Sequence, residues 1–451
     1  MQPTEGYTDK LKQFITIVIP ILITQLGLYA MNFFDVAMSG RAGAAQLAGV
    51  AIGSSLWVPI FTGLNGILMA LTPIVSQLTG AGRKKDVPFA VMQALYLSVL
   101  IVVLIITAGS FALDPVLNAM NLDGPVQEVA RGYLIALSIG IFPLFLYGAA
   151  RSYMDALGQT RVTMFITLIA LPINAFLNYL FIFGKWGFPE LGGIGAGVAT
   201  AMTYYIICGL SLYFIYKLEP FRSYKIFSHF PRPSFAAWKS QLKIGIPIGF
   251  SIFFEVSIFA AVTLLMSRFD TATIAAHQAA LNFASFLYML PLSVSFALTI
   301  AIGFEVGAKR YSHAVQYSFI GIFIAIVFAV FLSCVLLLFD DQVAMIYSSE
   351  ENVVQLTKSF LVYALFFQLA DAFGAPIQGA LRGYKDVNVT FVLSFISYWV
   401  LGLPVGYYLA NFTQMGAFGY WIGLISGLAA GAIILFMRLR YIQTHQFSSA
   451  S

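Results

Sequence analysis

ITIVIPILITQLGLYAMNFFDVAMSG, residues 15–40, carries a single charged side chain, Asp35, in a long apolar run. About 20 apolar residues cross roughly 30 Å of hydrocarbon, so the run reads as a membrane-spanning helix with an acid inside it. The stretch has a counterpart further along the chain. An offset of 227 carries Ile17, Ile19, Pro20 and Ile21 onto Ile244, Ile246, Pro247 and Ile248. The same offset takes Ala45 and Ala48 to Ala272 and Ala275, and Gly80, Ala81 and Arg83 to Gly307, Ala308 and Arg310. One register holding without a gap from Ile17 to Arg83 marks an internal repeat. A looser echo, offset by 224, relates MDALGQTR (154–161) to QGALRGYK (378–385).

Working outward, the whole chain follows the same pattern. Its 451 residues are 60% hydrophobic and only 10% charged, against roughly 25% charged in average soluble proteins. An ordinary soluble globule is excluded, and a polytopic helical membrane protein is implied. Twelve spans are predicted, over about 13–38, 47–78, 88–112, 128–154, 162–184, 194–217, 240–266, 272–303, 312–338, 354–380, 387–410 and 416–437. The first is too long for a signal-peptide core and lacks a small-residue cleavage site. Connections are short except at 218–239, LEPFRSYKIFSHFPRPSFAAWK. This segment is read as the linker between an amino lobe, 1–217, and a carboxy lobe, 240–451.

Lys and Arg lie nineteen on one side of these spans and five on the other, which places both termini and the linker in the cytoplasm. Six spans per lobe give the two lobes the same orientation, the parallel repeat that suits rocking about a central site. The outer loops lean acidic, with Asp114, Asp123, Glu128, Asp340, Asp341, Glu350 and Glu351. Net charge is +5, but no basic run resembles a nucleic-acid patch. Cys208 and Cys334 sit in apolar runs, so neither a disulfide framework nor a metal cluster is indicated.

Three acids lie deep in apolar stretches: Asp35, Glu255 in IPIGFSIFFEVSIFAAVTLL (246–265) and Asp371 in FLVYALFFQLADAFGAPIQG (360–379). Holding a carboxylate in hydrocarbon is costly, so each should face protein or water and marks a candidate ion or proton site. Pro172 is followed by Asn174 and Asn178 on one helical face, and Asp35 is an acceptor for those amides. Met31 and Met38 flank Asp35 by about one turn, where thioethers suit a cavity taking varied shapes. Gly423, Gly427 and Gly431, and the glycines of GGIGAG (192–197), read as close helix contacts. His277 reads as a hydrogen-bonded structural residue. No P-loop, HExxH, GxSxG or CxxC is present, so neither ATP drive nor an enzyme is indicated and no catalytic residue is assigned.

FFDVAMSG (33–40), LPINAFLNYLF (171–181), FFEVSIFA (253–260), AAHQAALNF (275–283), ALRGYKD (380–386) and FISYWVLGLP (395–404) together resemble the MATE multidrug and toxic compound extrusion family, in its NorM-like branch. The resemblance covers about 13–437. It implies an all-α membrane fold of twelve helices in two pseudo-symmetric six-helix lobes arranged in a V. It also implies export of cationic drugs and dyes in exchange for Na⁺ or H⁺, from a monomer in the plasma membrane with no other cofactor. Asp35, Asn174 and Asn178 match the amino-lobe coupling site. Glu255 and Asp371 match the carboxy-lobe pair, as metal ligands for Na⁺. Some relatives have Asp where Asn178 stands, and some have Tyr where Phe367 stands. Phe367 joins Met31 and Met38 as a substrate-cavity candidate. Two other readings are a lipid-linked oligosaccharide flippase, which would favour a basic cavity, and an integral membrane enzyme.

Overall fold

A computed structural model describes residues 1–447, and the described residues form helices joined by short connections. Among the described residues eleven helices are long and apolar enough to cross a membrane. A twelfth span is the pair Gly124–Ser138 and Ile141–Ala156, bent by 53°. Each predicted span therefore finds its helix. Continuous helix is what such a sequence must form, because hydrocarbon offers no partner for a free backbone N–H or C=O.

Breaks in the helices have local causes. Pro143 supplies no N–H for the Ile139 carbonyl, and the Tyr205 hydroxyl donates to that carbonyl instead at 3.0 Å. The bend in the fourth span falls at this point. In the second span, Ala44–Gly80, tight turns occur just ahead of Pro73, with Ala70 N–H on Ile67 and Thr72 N–H on Met69. In the eleventh span, Asn388–Phe412, a wide π turn runs over Ile396–Gly402. The predicted glycine ladder packs on that turn. A Cβ on Gly427 would run into the Ser397 carbonyl, and one on Gly423 into the Gly402 carbonyl.

Packing divides the chain into two compact units, Ile23–Gly249 on one hand and Met1–Leu22 with the chain from Phe250 onward on the other. The expected lobes, 1–217 and 240–451, divide the molecule by sequence order. The packing units cut the chain inside two helices, the first span (Tyr7–Ala42) and the seventh (Phe235–Met266). The two cuts, after Leu22 and after Gly249, are separated by the same 227 residues that relate the repeats.

Core contacts explain both cuts. Phe14, Ile17, Val18 and Ile21, at the head of span one, are buried among Val294, Leu298, Ile302, Tyr317 and Leu381. Trp238 and Leu242, at the head of span seven, pack on the cluster containing Val50, Trp57, Leu97 and Ile101. The 218–239 segment is likewise no loose tether. Phe221 and Ile226 are buried. Buried Gln93 donates to the Arg232 carbonyl and accepts from Ser234 N–H, both at 2.9 Å. Tyr96 donates to the Pro231 carbonyl at 3.0 Å.

Candidate functional site

Each unit buries its own acids. In the unit Ile23–Gly249, Asp35 on span one is 6% exposed. Its Oδ1 accepts from Asn178 Nδ2 at 2.6 Å, and its Oδ2 accepts from Thr200 Oγ1 at 2.7 Å. Asn178 also donates to Asn174 Oδ1 at 3.3 Å, and Asn174 donates to Thr203 Oγ1 at 3.3 Å. The fifth span (Thr160–Phe183) presents the two amides one turn apart, and the sixth (Gly193–Lys217) presents the two threonines. The chain of donors is neutral throughout and ends on the Ala199 carbonyl, which accepts from Thr203 at 2.8 Å. Asn178 Oδ1 is buried with no hydrogen-bond partner among the described residues.

In the other unit the arrangement is ionic. Glu255 on span seven accepts from the Tyr288 hydroxyl at 3.0 Å. Asp371, 5% exposed on the tenth span (Glu351–Gly383), lies in the electrostatic field of Glu255. Arg382, on the same helix as Asp371, also feels the Glu255 charge. Its guanidinium donates to Ser295 Oγ at 2.9 Å, and it is 8% exposed. Gln368, one turn before Asp371, has both amide atoms buried without a hydrogen-bond partner, and so does the Tyr398 hydroxyl. Two carboxylates, one guanidinium and unused oxygens make a cluster with a formal charge of −1 when both acids are ionised. A small monovalent cation would neutralise it.

Sequence reading brought Asp35 together with Asn174 and Asn178, but it missed Thr200, Thr203, Tyr288 and Arg382. Arg382, in the last turn of the tenth span, is one of the Lys and Arg residues that the bias places on the cytoplasmic side, and its side chain is buried in protein. Glu305 is a further buried acid, paired through its Oε2 with Arg310 Nε at 3.0 Å near fully buried Lys10. His277 has the structural role expected of it, accepting from Trp421 Nε1 at 3.0 Å and meeting Thr263 Oγ1 at 3.2 Å. Met31 and Met38 are partly buried against hydrophobic clusters of their unit. Phe367 is buried edge-on to Phe259 and Trp421. Two of the acids expected on the outer side are paired, Asp114 with Arg131 and Asp341 with Lys358, each at 2.7 Å. Among the described residues no group of three or more His, Cys, Asp or Glu has metal-binding geometry.

Twelve helical spans in two repeats, each with buried acids, define a polytopic membrane protein with polar sites inside its helices. The MatE family profile matches residues 20–180 and again 247–408, beginning at positions related by the internal repeat. "Probable multidrug resistance protein NorM" of Oceanobacillus iheyensis is 58% identical over 98% of this chain and 99% of its own length. The protein of that name from Bacillus subtilis is 58% identical over 98% of each chain. Among solved structures, an outward-facing multidrug resistance MATE family transporter superposes with a TM-score of 0.88 at 21% identity over the full length of both chains. The eukaryotic MATE transporter AtDTX14 gives 0.87 at 19% identity, covering 98% of this chain and all of its own. The chain belongs to the MATE family and is a transporter, not an enzyme.

Proposed function

We propose that this protein is a multidrug efflux antiporter of the plasma membrane that exports lipophilic organic cations in exchange for Na⁺ and H⁺ by alternating access. The observation that carries the reading is the difference in chemistry between the two buried acid sites. Asp35 is a lone carboxylate surrounded by neutral donors, and one proton is enough to neutralise it. Glu255 and Asp371 are two like charges in one another's field, and like charges held together favour binding a cation between them. Sodium therefore belongs to the carboxy-terminal pair and the proton to Asp35, with Asn174 and Asn178 holding that carboxylate in place. Relatives that share more than half of their residues with this chain bear names denoting multidrug resistance, which supports the substrate class.

Met31 and Met38 in one unit and Phe367 in the other are the candidates for contact with bulky apolar rings, and the buried acids balance the charge of the drug. Both termini lie in the cytoplasm on the Lys/Arg bias, and the monomer is the working unit. The flippase reading draws something from Arg382, a buried cation. That guanidinium is engaged by Ser295 and by the field of Glu255, which leaves it poorly placed to hold pyrophosphate.

The test is dye efflux from proteoliposomes, with a Na⁺ gradient and a pH gradient imposed separately. Either gradient should drive export, and the two together should drive it faster. Export unaffected by both gradients would remove the antiport. A panel matched for size and varied in charge separates the substrates: lipophilic cations should leave faster than neutral or anionic molecules. Preferential movement of anions would favour the flippase.

A further inference from the structure

The unit Ile23–Gly249 contains a cavity of about 550 Å³ away from the acid site, between the turn after span two and the segment after span six. Lys84, Lys85, Lys225 and His229 line it, and no carboxylate does. Among the described residues none of the three lysines has an ion-pair partner, whereas their neighbour Arg83 is paired with Asp86 at 2.7 Å. Three uncompensated cations around one hollow repel each other unless an anion lies among them.

The cavity's walls are anchored in the unit's core. Buried Phe221 and Ile226 anchor one wall on either side of Lys225. Pro231, a lining residue, is held through its carbonyl by Tyr96. Lys225 itself sits in the left-handed region, φ 52° and ψ 48°, which a side chain other than Gly or Asn adopts at a cost.

The remaining lining fits one kind of anion. Pro88 and half-exposed Phe89 give the cavity an apolar flank beside its cations, and Phe230, next to His229, is largely exposed. Cations beside exposed aromatic surface at the end of a membrane span match a headgroup attached to acyl chains. A free small anion would use only the charged part. We infer that this cavity binds the phosphate of an anionic phospholipid headgroup, on the face that the Lys/Arg bias assigns to the cytoplasm. The shared chemistry is a phosphate anion, and the apolar flank identifies its source as lipid.

The experiment uses the full chain, purified in neutral detergent. Short-chain phosphatidylglycerol, short-chain phosphatidylcholine and inorganic phosphate are titrated, with binding read by ligand-induced thermal shift. Phosphatidylglycerol should bind at least tenfold more tightly than either of the others, and its affinity should fall as salt rises. The triple variant Lys84→Gln, Lys85→Gln, Lys225→Gln should lose at least tenfold. Lys225→Gly separates binding from folding: relief of the backbone should raise the melting temperature of the lipid-free protein, while phosphatidylglycerol binds more weakly. The proposal is overturned if the triple variant binds phosphatidylglycerol like the unmodified protein. Equal affinity for phosphatidylcholine, or inorganic phosphate as potent as the lipid, would overturn it too.

Discussion

The two acid sites each draw an acid from the first span of a repeat, Asp35 on span one and Glu255 on span seven, and meet the cost of a buried carboxylate differently. Asp35 is hydrogen-bonded at both oxygens by neutral side chains from spans five and six. Asp371 has no side-chain hydrogen bond among the described residues and sits instead in the field of Glu255, which Arg382 acts on in turn. A buried polar group is tolerated when it is hydrogen-bonded, and a buried charge when it is paired. The amino-terminal site uses the first solution, whereas the carboxy-terminal acids, in no ion pair among the described residues, hold like charges in one another's field. Duplicated helices thus surround their acids with different chemistry, because the neighbouring side chains differ between the repeats.

Removing the lone acid is the most direct way to break the contrast. Asp35→Asn keeps the shape of the side chain but leaves nothing to titrate, so coupled efflux should fall at least about a hundredfold, to the level of empty membranes. Insertion and yield should be unchanged. Dye efflux and a membrane blot check both parts, and near-normal transport would end the assignment.

The paired site should respond as a unit. Glu255→Gln and Asp371→Asn should each abolish Na⁺-driven export, and the double variant should be scarcely worse than either alone. Additive losses in that double-mutant cycle would show two independent groups rather than one cation site. Arg382 sharpens the same point. Arg382→Gln takes the cluster from a formal −1 to −2, so half-saturation for Na⁺ should shift about tenfold lower, about 1.4 kcal/mol. Unchanged Na⁺ dependence would place the guanidinium outside the site.

Thr200→Val removes one donor from Asp35 without touching its charge. Hydrogen bonds to charged groups contribute about 1.5–3 kcal/mol. The pH dependence of efflux should therefore shift toward higher pH, because the ionised form loses a stabilising bond, whereas Na⁺ dependence should stay in place. A shift in the Na⁺ curve instead would mean that the two sites are not chemically separate.

The smallest effect lies between spans ten and eleven, where burial lowers Lys385 to about 8. Unfolded lysine titrates near 10.4. Between these values the unfolded chain holds a proton that the folded one has released, so stability rises with pH across that window. Below pH 8 the penalty is present in full. Lys385→Met should raise the melting temperature by roughly 2–4 °C at pH 7, and the gain should shrink by pH 10. A constant gain at both pH values would point to packing rather than charge.

Much of the amino-terminal site was legible in the sequence because its parts announce themselves. An acid in a 26-residue apolar run is conspicuous, and two asparagines at helical spacing after a proline need a polar partner. Thr200 and Thr203 carry no such signal, since threonine is common in apolar helices and bonds its own backbone. The partner of Arg382 was illegible for a physical reason: near the end of a span a long cation is expected to snorkel toward water. Here Ser295 of another helix draws it inward, and no local pattern reports that. Glu305 was obscured in the same way, five residues before the arginine that neutralises it. The twelve spans were legible because hydropathy alone compels them. The exchange of helix heads was not, since sequence order says nothing about which core a helix end joins.

That exchange constrains how the protein is made. Phe14, Ile17, Val18 and Ile21 leave the ribosome among the first residues, yet the partners that bury them begin at Val294. Synthesis at about 5–20 residues per second leaves the head of span one waiting on the order of tens of seconds. During that time the amino-terminal unit also lacks Trp238 and Leu242, which the ribosome supplies only with the start of the next repeat. Neither repeat can close its core from its own residues, so assembly in the membrane is a joint event, and a chain terminated between the repeats would be an incomplete object awaiting its other half.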